Sequence, residues 1–256
     1  MRLILFEVFG IKIYSYGFMI AIGIIFATML FISQAKKRGY DEDKLLNLTI
    51  FTVIAGAIGG KLLYILVELK SIVQEPKRLL DIGNGFVIYG SIILGALTVF
   101  LYCKKNKWNV LETLDLVVPS VALAQGFGRI GCFLAGCCYG AETTLPIGVT
   151  FPVGSLAESG VKVLPTQLFS SAFDFVLAAI LFVCLKKNKN KGNVFASYII
   201  LYSIGRFIIE FFRNDQRGNV GVLSTSQFIA IFTLIFGIAL IVVPKIKRRK
   251  VESEKN

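Results

Sequence analysis

The sequence predicts an all-α polytopic membrane protein of about seven transmembrane helices, and three observations carry that expectation. Of 256 residues 55% are hydrophobic and 17% charged, with 22 Phe, which is more apolar surface than a soluble domain of this length can bury. The apolar residues gather into runs reaching the roughly 20 residues that cross a hydrocarbon layer about 30 Å thick. Most basic residues fall between the runs, and the formal charge of +12 follows from loops that keep Lys and Arg on the cytoplasmic side.

Taken in order, the runs predict spans near Tyr14–Ser33, Leu45–Val67, Phe86–Cys103, Thr113–Ala135, Gln167–Leu185, Val194–Phe212 and Ser226–Val243. Met1 to Lys12 lacks the basic start, apolar centre and small-residue cleavage site of a signal peptide, so the first span is expected to stay in the mature protein. Connections are short, without repeats or low-complexity linkers, which predicts a single membrane domain over 1–256.

Alternate connections put Lys36, Lys37, Arg38, Lys44, Lys104, Lys105, Lys107, Lys186, Lys187, Lys189 and Lys191 on one side, with the tail from Lys245 to Lys250. The opposite side holds Arg2, Lys12, Lys70, Lys77, Arg78, Lys162, Arg213 and Arg217. The richer side is cytoplasmic, so the basic tail (245–256) is expected inside, and the N-terminus and the connection Tyr139–Pro165 outside. Because loop placement accounts for the charge, no nucleic-acid partner is expected.

Each charged group at a helix centre costs about 2.5–3.5 kcal/mol on insertion scales, so charges inside spans need partners or a purpose. The clearest cluster is Tyr202-Ser203-Ile204-Gly205-Arg206-Phe207-Ile208-Ile209-Glu210-Phe211-Phe212-Arg213-Asn214-Asp215. On a helix Arg206, Glu210 and Arg213 share a face. One reading is an internal ion pair that fixes helix register. The functional reading is that two guanidiniums against one carboxylate leave positive charge, and a guanidinium fork matches a phosphate bidentately. Arg213, nearest the water, is expected to be the mildest to remove.

A second unusual segment runs from Gln125 to Gly140, with glycines at 126, 128, 131, 136 and 140 that allow close approach of a backbone or ligand. Arg129 lies within it, several residues from the predicted outer boundary, and is the second candidate phosphate ligand. Tight packing around a snorkelling arginine is the plain alternative.

Cys103 and Cys184 sit at inner span ends and read as apolar filler. Cys132, Cys137 and Cys138 lie beside Arg129. The chain has no His, and these cysteines lack paired metal-ligand spacing, so no metal is expected. A disulfide, a reactive thiol carrying a covalent adduct, and plain packing remain open. Weaker signals are Gly59-Gly60-Lys61, the run Gly85-Phe86-Val87-Ile88-Tyr89-Gly90, and Leu164-Pro165-Thr166-Gln167, where Thr166 is a plausible helix cap.

In sequence order these segments resemble the prolipoprotein diacylglyceryl transferase family over nearly the whole chain. The resemblance rests on Tyr14-Ser15-Tyr16-Gly17-Phe18-Met19, Gly60-Lys61-Leu62-Leu63-Tyr64, Phe86–Gly90, Gly128-Arg129-Ile130-Gly131, Pro165-Thr166-Gln167-Leu168 and Gly205–Arg213. It implies seven spans with the N-terminus outside, in the bacterial plasma membrane. It also implies transfer of a diacylglyceryl group from phosphatidylglycerol to a cysteine thiol in the signal-peptide region of a lipoprotein precursor, releasing glycerol phosphate, with no cofactor. Carried onto this chain, Arg129, Arg206, Glu210 and Tyr89 are the candidate catalytic residues. Tyr16, Lys61, Tyr64, Gly128, Gly131, Cys132, Cys137, Gln167, Tyr202 and Arg213 are the candidate substrate-binding residues.

The chain departs from the family pattern. Tyr89 stands where the family has His, Cys132 where it has Asn, Gly136-Cys137 where it has Gly-Glu, and Lys61 where it has Arg. The thiol must ionise to attack, since a free thiol has a pKa near 8.5. Without imidazole the proton acceptor is Glu210, Tyr89, the lipid phosphate, or none at all if neighbouring arginines favour the thiolate; Glu210 ranks first. Two rivals follow from the substitutions. One is a paralogue using another acceptor; the other is a non-catalytic lipid-binding or thiol-redox membrane protein.

Overall fold

Long apolar runs form the spans, one of them with Pro119 inside it and several with internal glycines, and polar stretches connect them. The computed structural model describes residues 3–77, 85–157, 159–188, 190–214 and 218–253. Arg2, Arg78, Lys189, Asp215 and Arg217, used in the sequence reading, lie outside the described residues, as do Glu158 of the outer connection and residues 254–256 of the tail. The order is β1 (Ile4–Val8), β2 (Ile11–Tyr14), α1 (Ser15–Lys36), α2 (Glu42–Val67), α3 (Leu69–Gln74), α4 (Ile88–Lys105) and α5 (Val110–Ala135). There follow β3 (Val149–Thr150), β4 (Lys162–Val163), α6 (Thr166–Lys187), α7 (Asn193–Glu210), β5 (Asn219–Val220), β6 (Leu223–Ser224) and α8 (Thr225–Ser253).

Among the described residues, seven helices are long and apolar enough to cross a membrane: α1, α2, α4, α5, α6, α7 and the Thr225–Pro244 portion of α8. Each coincides with one predicted run. Hydropathy does not yield the antiparallel hairpins β1–β2, β3–β4 and β5–β6, because strands of five residues or fewer vanish in a window as wide as a bilayer. In β1–β2, Val8 pairs with Ile11 across Phe9-Gly10, both at positive φ (50° and 79°), the geometry of a two-residue hairpin turn. Tyr14 therefore ends a strand and does not begin the first span.

The backbone divides into two compact units, Met1–Phe31 with Leu114–Asn256, and Ile32–Thr113. In the second unit α2 starts with Asp41, whose side chain accepts from the Lys44 N–H at 2.9 Å. Helices α2 and α4 pack with the least separation at Gly59 and Gly90: a Cβ on either would fall on the other's carbonyl. Gly85, at φ +72°, leaves room for the Tyr64 ring.

In the first unit α1 lies on α5, where Phe26 stacks on Phe127 with centroids 5.4 Å apart. Ser171 on α6 donates to the Gly126 carbonyl of α5 at 2.9 Å. Gly205 of α7 faces the Phe173 ring of α6. Helices α7 and α8 share a hydroxyl pair, Ser203 and Thr233, at 2.7 Å. The start of α7 is capped from a distance, since the buried Asp115 carboxylate of α5 accepts from the Gly192 and Phe195 N–H groups at 2.6 and 2.7 Å. A carboxylate there also complements the positive end of the helix dipole.

Candidate active site

Helix α5 ends in a turn that shapes the site. Gly136 takes a left-handed φ of +74°. The Gly136 N–H bonds the Phe133 carbonyl at 3.2 Å, and the Cys137 N–H bonds the Cys132 carbonyl at 3.0 Å. This is a Schellman ending, in which the residue after the glycine packs back on the residue four before it. Both residues here are cysteines. Cys138 then adopts φ +63°, uncommon for a residue with a side chain, and the three Sγ atoms of Cys132, Cys137 and Cys138 lie within 4.8 Å of one another. None of the three is in a disulfide.

The segment beyond the turn is clamped from both sides. Gln167 Nε2 donates to the Cys137 carbonyl at 2.7 Å, and Thr166 Oγ1 to the Cys138 carbonyl at 2.9 Å. Thr166 thus holds the cysteine turn, and the cap position of α6 falls on Pro165, which makes no side-chain cap bond; this corrects the expectation of a Thr166 cap. Gly140 bridges Arg213 as an isolated antiparallel pair, and the Ala141 N–H reaches the Phe212 carbonyl at 3.0 Å. A Cβ on Gly140 would meet Thr166 Cγ2 at 2.7 Å, so the approach requires glycine.

These clamps carry Arg213 to the cysteines. Helix α7 ends at Glu210, so Arg213 reaches the site from the turn beyond it rather than from the predicted helix face. Its side chain is only 3% exposed, with Nε 3.9 Å from Glu210 Oε2 and a hydrogen bond to Cys138. That corrects the reading of Arg213 as the most water-facing of the group. Hydrogen bonds from Cys132 and Cys137, with Arg213 beside it, hold the Cys138 thiol below the ordinary thiol range. Bonds to Cys132 and Cys138, and burial, raise Cys137.

Glu210 is enclosed. Its Oε2 lies 2.8 Å from Arg206 Nη2, four residues back on α7, and its Oε1 accepts from Ser224 Oγ at 3.0 Å. Arg206 Nη2 also donates to Ser226 Oγ at 2.9 Å. The Oε2 atom is buried and charge-paired by distance, although its contacts miss good hydrogen-bond angles. Ser224 and Gln227 exchange reciprocal bonds at 3.1 Å, a capping box that starts α8 and fixes the hydroxyl Glu210 uses.

Arg129 of α5 has Tyr202, Cys132, Asp174 and Cys138 as electrostatic neighbours. Asp174, on α6 and 2% exposed, has both Arg129 and Arg206 as neighbours. Asp174 is not among the sequence-predicted site residues, although a lone acid inside the apolar run Gln167–Leu185 marks it in the sequence. Ser224 and Ser226 were also missed; only the fold brings α8's first turn to α7's last. Tyr202 stacks on Tyr198, centroids 5.6 Å apart, and Tyr198 Oη donates to Gln125 Oε1 at 3.1 Å. Gly131 packs against Tyr16 and Met19, whereas a Cβ on Gly128 would meet nothing within 4 Å. Tyr16, 45% exposed, has Cys132, Cys137, Arg129 and Cys138 as neighbours.

The first unit thus assembles Tyr16, Gly128, Arg129, Gly131, Cys132, Cys137, Gln167, Tyr202, Arg206, Glu210 and Arg213. Lys61, Tyr64 and Tyr89 belong to the second. There Lys61 Nζ stands 5.3 and 5.5 Å from the Tyr64 and Phe86 ring centroids, a cation held by two aromatic faces, and Tyr89 is 42% exposed.

Residues 3–243 match the family model described as prolipoprotein diacylglyceryl transferase. Among curated proteins the chain is 62% identical over 256 residues to phosphatidylglycerol–prolipoprotein diacylglyceryl transferase 2 of Clostridium perfringens, covering 100% of both chains. It is 56% identical over 249 residues to the phosphatidylglycerol–prolipoprotein diacylglyceryl transferase of Clostridium tetani, covering 97% of this chain and 100% of that one. To the Clostridioides difficile protein of the same name it is 36% identical over 234 residues, covering 91% of each.

Proposed function

Because the chain belongs to the prolipoprotein diacylglyceryl transferase family, we propose that it transfers a diacylglyceryl group from phosphatidylglycerol to a cysteine thiol of a lipoprotein precursor, at the outer face of the plasma membrane. The carrying observation is the buried charge cluster of the first unit. Three guanidiniums, Arg129, Arg206 and Arg213, are set against the two carboxylates of Asp174 and Glu210, so the guanidiniums outnumber the carboxylates by one, which suits the cluster to a phosphate.

In the reaction the acceptor sulfur attacks the glyceryl carbon, the carbon–oxygen bond to phosphate breaks, and the phosphate oxygen keeps the electron pair. Glycerol phosphate leaves with one more negative charge than the lipid phosphate carried. Arg129 and Arg206 oppose that charge as it develops, where fixed cations outperform mobile water. Glu210, occupied by Arg206, Arg213 and Ser224, supports a role in aiming guanidiniums rather than in taking a proton. A precursor's signal-peptide region would present the cysteine, and the connection 139–165, expected outside, ends at the cysteine turn's clamps.

A bacterium depleted of its own transferase tests this reading. The gene should restore growth and diacylglyceryl-modified lipoproteins. Correct membrane insertion without modification would overturn it. A paralogue with another acceptor remains the second reading, favoured by Tyr89, Cys132 and Cys137 and by the number 2 in the name of the Clostridium perfringens relative; lipid transfer to a substrate other than precursor cysteine would reveal it.

A further inference from the structure

The transferase reading leaves open how the acceptor thiol is ionised in a chain with no histidine, and the cysteine turn supplies an answer that rests on that reading. Spacing along the chain argues against a metal, since Cys132, Cys137 and Cys138 do not form paired motifs. The fold overrides the spacing. The Schellman ending sets the side chain of Cys137 on that of Cys132, the left-handed Cys138 adds a third thiol, and the three Sγ atoms lie within 4.8 Å of one another. Gln167 and Thr166 hold the carbonyls of Cys137 and Cys138, so the turn is fixed by its neighbours before any ion binds.

We propose that Cys132, Cys137 and Cys138 form a three-thiolate site for a thiophilic divalent cation, zinc, whose fourth tetrahedral position takes the acceptor cysteine. Three protein ligands and one open position are the pattern of zinc sites that act on substrates. Cys132 is buried while Cys137 and Cys138 are half-buried, which leaves a side for an incoming ligand, and the open surface at Gly128 lies one residue from Arg129.

Charge decides whether a cation can sit among arginines. Three thiolates and a divalent ion carry one negative charge, and a fourth thiolate makes two. Arg213, hydrogen-bonded to Cys138, and Arg129, an electrostatic neighbour of Cys132 and Cys138, are the cations beside those charges and attract them, while they also face Glu210 and Asp174. Coordination removes the acceptor's proton outright, which goes to water. The metal-held sulfur then attacks the glyceryl carbon, and the carbon–oxygen bond breaks toward the phosphate. The product is a neutral thioether, a weak ligand that leaves the metal. No electron changes hands, and no general base on the protein is required.

The test uses full-length protein in detergent, dialysed against zinc and then washed, with metal measured by mass spectrometry. Wild type should retain about one zinc per chain, and Cys132→Ala, Cys137→Ala and Cys138→Ala should each weaken retention by at least about tenfold. With cobalt in place of zinc, a peptide bearing one cysteine should shift and intensify the cobalt bands, and its serine version should not. Arg206→Ala should keep the metal and the band shift while losing transfer. Failure of wild type to hold zinc or cobalt would overturn the proposal, and so would undiminished transfer by chelator-treated, zinc-free protein. A band shift in wild type without lipid transfer would sustain the metal site and sink the transferase reading instead. The cobalt spectra of wild type decide the matter even if the alanine variants do not fold.

Discussion

At Arg206 one guanidinium nitrogen, Nη2, meets a carboxylate at 2.8 Å and a hydroxyl at 2.9 Å, which leaves the rest of the fork to meet a ligand's oxygens as far as the described residues go. Arg206→Ala should lower transfer by about a hundredfold or more, the scale of losing one well-placed charge-stabilising group. Arg206→Lys should not restore it, because a point charge cannot span both partners and a phosphate. Rates on phosphatidylglycerol vesicles check both; a wild-type rate in correctly inserted Arg206→Ala would remove the arginine from the mechanism. Arg213→Ala, with its buried links to Glu210 and Cys138, should be as severe as Arg206→Ala. Asp174→Ala strips a buried carboxylate from beside two arginines and should destabilise the protein by about 3–5 kcal/mol. A thermal melt in detergent that matches wild type would show that Asp174 compensates nothing. The arginines were legible in the sequence because charge is rare in a span. Asp174's role was not, since its significance lies in neighbours drawn from two other helices.

Helices meet where side chains vanish or where hydroxyls bridge. Gly90→Ala would drive a methyl into the Gly59 carbonyl and push α2 from α4, an overpacking cost of about 1–3 kcal/mol. Lower melting temperature with native oligomeric state is the expected result, and unchanged stability would contradict the packing. Ser224 both caps α8 and reaches Glu210, so Ser224→Ala should lose about 1 kcal/mol and some activity, whereas Gln227→Ala should lose stability with less effect on rate. Comparing the two variants separates cap from site. At this scale hydropathy predicted every spanning helix, because length and apolarity are summed over many residues. The hairpins and the end of α7 at Glu210 depend on a few local bonds, which no long window registers. The cysteine turn lay between these cases. A cysteine five residues before another, with glycine just ahead of the second, is a Schellman signature, but the clamps from Thr166 and Gln167 come from 28 and 30 residues away.

For the molecule as a whole, the seven apolar helices and the family make this a multi-pass membrane protein, and loop charge proposes which end of each helix faces out. A reporter active only outside the cell should work when fused after Glu142 and fail after Lys189; the reverse would place the arginine cluster at the wrong face for exported precursors. The most direct measurement follows the atoms. Purified protein is mixed with phosphatidylglycerol labelled in its headgroup glycerol and a precursor peptide with one cysteine. The peptide should gain the mass of one diacylglyceryl group, with an equal amount of labelled glycerol phosphate released, and Arg206→Ala should do neither. Inserted, intact wild-type protein that leaves the peptide unmodified, or modifies it as fast without Arg206, would contradict transfer at the arginine cluster.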